Sequence, residues 1–101
     1  MLSHNVFFSL HDNSPEARAK LIQSVKMHLT AHAGLMFLAV GELAADMNRP
    51  VNDMDFDVAL HLVFSDHAHH DIYQAAPRHL KFMKESKGNW AKVRVFDSIV
   101  D

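Results

Sequence analysis

Phe56-Asp57-Val58-Ala59-Leu60-His61-Leu62-Val63-Phe64 alternates from side to side with a period of two. Phe56, Val58, Leu60, Leu62 and Phe64 point one way, and Asp57, Ala59, His61 and Val63 point the other. This predicts a strand with one strongly apolar face. Working outward, Leu35 to Leu43 is a second strand candidate, joined to the first by a loop from Ala44 to Met54 with Asn48, Pro50 and Asn52 as breakers. Upstream of that, Ser14-Pro15-Glu16 starts a helix: Ser14 caps, Pro15 suits the first position and Glu16 suits the dipole. Ala17, Leu21, Ile22, Val25 and Leu29 then form one stripe, and Gly34 is expected to close the helix. At the start of the chain, His4, Val6, Phe8 and Leu10 share one face of an extended segment, opposite Asn5, Phe7, Ser9 and His11.

Downstream, Ser65-Asp66 can cap a second helix running through Tyr73. Pro77 interrupts it, and helical turns follow from Arg78 to about Glu85. After a turn at Lys87-Gly88-Asn89, Trp90 to Ile99 is the last strand, with Ala91, Val93 and Val95 alternating against Lys92, Arg94 and Phe96. The order β-α-β-β-α-β predicts an α+β domain of ferredoxin-like type: a four-stranded antiparallel sheet with its helices on one face. The other face carries Phe7, Ala59, Val63 and Phe96. It needs cover, so a homodimer packing sheet against sheet is expected.

The 101 residues are one domain, 1–101, with 49% apolar and 22% charged residues, which excludes disorder. A net charge of -2 gives no electrostatic case for nucleic acid. No cysteine is present, so disulfides and thiolate chemistry are out. No apolar run is long enough for a membrane span or a signal peptide, and a soluble cytoplasmic protein is the expectation.

Nine histidines stand out: His4, His11, His28, His32, His61, His67, His69, His70 and His79. His28 and His32, one turn apart beside the helix stripe, read as surface or edge residues. His67, His69 and His70 read as a solvated helix face, because neither a His-x-x-x-His pair with an acidic base nor a cysteine completes a zinc site. No metal or cofactor is therefore expected. His11 and His61 fall on the face assigned to the dimer. His4 faces the helices, Tyr73 ends a helix, and His79 follows just past Pro77. A half-buried histidine can act as general base, and a tyrosine hydroxyl can hold an oxyanion, so these three are the candidate catalytic residues. The alternative is that they only fix the helix break.

Several segments together resemble the stress-responsive α/β-barrel (Dabb) family. They are His4-Asn5-Val6-Phe7-Phe8-Ser9-Leu10, Ser14-Pro15-Glu16, Val40-Gly41-Glu42, Phe56-Asp57-Val58-Ala59-Leu60 and Val95-Phe96-Asp97. Tyr73-Gln74-Ala75-Ala76-Pro77-Arg78-His79 is similar to the family's Tyr-x-x-His-Pro-x-His segment, with Ala76 at its first histidine. The resemblance implies a ferredoxin-like protomer whose dimer forms a β-barrel. Some members, such as the plant olivetolic acid cyclase, close a polyketide by aldol condensation without a cofactor. Carried over by position, that enzyme's catalytic histidines and tyrosine match His4, Tyr73 and His79, while its strand-three histidine falls at Val58. Three readings follow. One is a dimer binding a small apolar or aromatic ligand between sheet and helices. The second is a cofactor-independent cyclase, lyase or monooxygenase-like enzyme with His79 as base. The third is a structural dimer with a filled core. A cavity touching His79 separates the first two from the third.

Overall fold

In the computed structural model, which describes residues 1–101, the chain runs β1 (Leu2–Leu10), α1 (Pro15–His28), β2 (Leu35–Glu42), β3 (Val58–Phe64), α2 (His67–Ala75), α3 (Pro77–Ser86), a short 3-10 turn (Lys87–Asn89) and β4 (Trp90–Ile99). The strands are ordered β2-β3-β1-β4, and every neighbouring pair is antiparallel. The alternation of β1 is realised residue by residue: Leu2, His4, Val6, Phe8 and Leu10 are buried and the residues between them are partly exposed. No helix is long and apolar enough to cross a membrane.

Each helix forms where its local chemistry permits. Ser14 Oγ accepts from Ala17 N at 3.2 Å, with Pro15 next in line. The Asp66 carboxylate caps α2 by accepting from His69 N at 2.8 Å. At Ala76–Pro77 the proline lacks the N–H that would continue the helix, and Ala76 is held extended (φ -66°, ψ 141°), so α2 and α3 separate. Leu21, Val25 and Leu29 of the first helical stretch and Phe82 of α3 close over Phe8, Leu60, Leu62 and Phe64 of the sheet.

Helix α1 stops at His28, well before Gly34. Leu29 is fully buried there, and the Arg78 guanidinium donates to the carbonyls of Met27 and Thr30, satisfying groups a helix end leaves open. Gly34 is instead a contact glycine. Its φ is +77°, and a Cβ would lie 2.3 Å from the ring of His69.

Phe56 also departs from the alternation. The strand begins at Val58: Asp57 N still donates to Phe8 O at 2.7 Å, and its carboxylate accepts from Leu10 N at 2.7 Å, tying the chain before Val58 to the end of β1. Phe56 therefore lies on the open sheet face, its ring 5.0 Å from that of Phe7, and not among the helix-facing residues. Phe96 and His61 also meet Phe7 on this face, at 5.7 and 6.0 Å. His11 is exposed beyond the end of β1, outside the face to which parity assigns it.

Candidate functional site

His4, Tyr73 and His79 come from β1, α2 and α3, and the fold brings them together beneath the helices. All three are buried. The ring of Tyr73 is 4.6 Å from His79 and 6.5 Å from His4, edge to face in both cases. The convergence is built locally. Tyr73 is the inward residue of the last turn of α2, and the break at Pro77 turns α3 so that His79, two residues on, points back at the same core.

Their environment sets their protonation. Burial pushes the Tyr73 hydroxyl above its ordinary range, so it stays neutral. Burial likewise holds His79 below its ordinary 6.5, with the Gln74 backbone pulling the other way and His4, His32 and His70 opposing a further positive charge. Its Nδ1 is buried and makes no well-formed hydrogen bond. A neutral imidazole beside a neutral phenol can accept a proton and donate a hydrogen bond in one small volume.

This environment also sets an acid limit on stability. The unfolded imidazole protonates near 6.5, whereas the folded one resists until lower pH, so the unfolded chain binds more protons below about pH 6.5. Stability is thus expected to fall as pH drops through 6.5. Urea midpoints at pH 7 and pH 5 measure this, and His79→Asn should show the smaller drop between them. An equal drop in variant and parent would show that His79 is not the group responsible.

Other histidines sit differently from their sequence reading. His28 is buried, not at the surface, because α1 packs on α3 at that position and its Nε2 meets a Glu85 carboxylate oxygen at 2.9 Å. His32 lies past the helix end and is free to turn inward. Its Nε2 donates to the carbonyl of His28, and its ring is 5.1 Å from Tyr73. His70 is on the sheet side of α2, one turn before Tyr73, and not on the solvated face. Its ring lies 4.6 Å from His4 and 5.5 Å from Phe64, and its side chain is only 12% exposed. His67 does face water, while His69 pairs with Asp66 against Gly34.

Asp97 is the group that sequence reasoning missed. It is directly opposite His4 in the β1–β4 register, and its carboxylate lies 2.5 Å from His4 Nδ1. The signal was its parity: Asp97 shares the side of Val93 and Val95, an odd place for a charge.

Two concavities lie away from this cluster and include none of His4, Tyr73 and His79. One of about 570 Å³ lies between α1 and the α3–β4 turn, lined by Leu10, Leu21, Met27 and Trp90 among others. The other, of about 360 Å³, is on the open sheet face between Phe7, Phe56 and Phe96, with Asp53 and Arg94 paired at its rim. The expected cavity touching His79 is neither of these.

A four-stranded antiparallel sheet in the order β2-β3-β1-β4, covered by helices on one side, places the chain among ferredoxin-like α+β proteins. Residues 2–100 match the model of the Stress responsive A/B Barrel Domain, Dabb. The chain belongs to this family. Among solved structures it is similar to a Dabb protein with a ferredoxin-like fold from Mesorhizobium loti, with TM-score 0.80 and 20% identity over 99% of this chain and 96% of that one. A dimeric ferredoxin-like protein of unknown function from Thermobifida fusca gives TM-score 0.80 and 16% identity over 98% and 90%. A hydroxynitrile lyase from Passiflora edulis gives TM-score 0.78 and 20% identity over 99% and 93%. No curated protein matches the chain.

Proposed function

We propose that this chain forms a cytoplasmic homodimer through its open sheet faces. Each protomer binds a small apolar or aromatic molecule between helices and sheet; neither concavity reaches His79, so the helices must part for the ligand's oxygen to meet His4, Tyr73 and His79. The observation that carries the reading is the convergence of these three buried polar side chains, with no well-formed hydrogen bond at His79 Nδ1. An unpaired buried nitrogen is costly, and a ligand hydroxyl would relieve that cost. The dimer is supported by the exposed aromatics of the open face and by neighbours described as dimeric.

The probe we choose is 4-propylphenol, followed by ligand-observed NMR. Saturable binding is expected at one site per chain, weakened about tenfold or more in Tyr73→Phe and His79→Ala through loss of one hydrogen bond each. No saturation at millimolar phenol, or unchanged binding in both variants, would remove the reading.

The neutral His79 favours a second reading, catalysis, and the lyase among the neighbours suggests its form. His79 would take the hydroxyl proton of a cyanohydrin while Tyr73 donates to the same oxygen. The carbonyl forms, the C–CN bond breaks, and cyanide takes up the proton from the imidazolium. Benzaldehyde released from mandelonitrile reports this step, and a fall of about a hundredfold is expected in His79→Ala. Wild-type release no faster than buffer would exclude it.

A further inference from the structure

The Nδ1 of His70 is buried and has no hydrogen-bond partner. In an interior where nearly every polar atom is paired, such a nitrogen calls for an explanation. Its surroundings offer one. His70 packs on His4, which in turn meets Asp97. One ligand atom from each of His4, His70 and Asp97 lies within 4.8 Å of the other two.

We infer that His4, His70 and Asp97, from β1, α2 and β4, form a binding site for a borderline divalent transition-metal ion such as zinc or cobalt. Two imidazoles and a carboxylate suit Zn, Co, Ni or Cu, whereas Mg and Ca prefer sites made of oxygen alone. Zinc bonds of about 2.0–2.2 Å set neighbouring donors roughly 3.3 Å apart. His4 and Asp97, now 2.5 Å apart, must therefore open and His70 draw in around the ion, which side-chain rotation can supply, since the Asp97 side chain is 45% exposed. That exposure also gives the ion a way in. The Asp71 carboxylate, 3.9 Å from His70 Nδ1, pairs with His67 at 3.2 Å, so water is left to complete the coordination. The site goes beyond the ligand reading, because His70 and Asp97 take no part in that reading.

Cobalt chloride titrated into the full chain tests the site. The expected result is one Co²⁺ per chain, with visible bands of four- or five-coordinate cobalt that zinc bleaches. Asp97→Asn and His70→Gln should each weaken binding by at least about tenfold. His69→Gln, which alters the separate Asp66–His69 pair, should keep the bands. If His70→Gln does not fold, Asp97→Asn carries the test, being isosteric at a half-exposed position. The site is overturned if the wild type shows no one-to-one saturation, if Asp97→Asn binds as the wild type does, or if His69→Gln abolishes the bands.

Discussion

Phe64→Ala is expected to destabilise the domain by about 3–5 kcal/mol, the usual cost of removing a large aromatic side chain from a packed core. Phe64 is fully buried at the end of β3, with Tyr73 at 5.0 Å and His70 at 5.5 Å from its ring. It is the wall against which the inward side of α2 rests, so the cavity opens beneath the candidate site. Domains of this size have roughly 5–15 kcal/mol of stability, so the variant keeps only part of its margin. Urea unfolding measures the loss, with Val51→Ala as a control at a position 85% exposed. A change below about 1.5 kcal/mol would mean that α2 re-packs without its wall, and the account of the core would need revision.

The second large effect concerns assembly. With lysines at both Phe7 and Phe96, the chain is expected to be monomeric at micromolar concentration, with light scattering giving 11.5 kDa in place of twice that mass. Phe7 touches Phe56, Phe96 and His61, and Phe96 is 54% exposed in the single chain, so both occupy the face a second sheet would cover. Burying unpaired ammonium groups there costs several kcal/mol in each copy, which weakens association by a factor on the order of a thousand. In a monomer the same lysines reach water. A wild type already at 11.5 kDa, or a variant still at twice that mass, would show that the copies do not meet through this face.

The elements themselves were legible because they rest on short-range chemistry. The alternation from Val58 to Phe64, the Ser14–Pro15 start, the Asp66 cap and the break at Pro77 each follow from neighbours within a few residues. The β4 bounds follow from its alternation in the same way. Errors arose where a distant group intervened. Arg78 and the burial of Leu29 ended α1 ahead of Gly34. The turn of Asp57 toward β1 sent Phe56 to the opposite face.

The histidines divide along the same line. Parity along β1 placed His4 inward, and the helix break placed Tyr73 and His79 on either side of Pro77, so all three candidate positions could be named from local pattern. Burial of His28 and His70 depended on which side of each helix met a neighbour, and the helix period leaves that open when polar residues surround the stripe. By itself, the sequence determined the order of elements, the two faces of the sheet and the absence of thiol chemistry. Only the tertiary structure decided that Asp97 stands opposite His4 and that His70 packs over both. Strand register and helix docking are set by contacts between segments far apart in the chain, and no local pattern encodes such contacts.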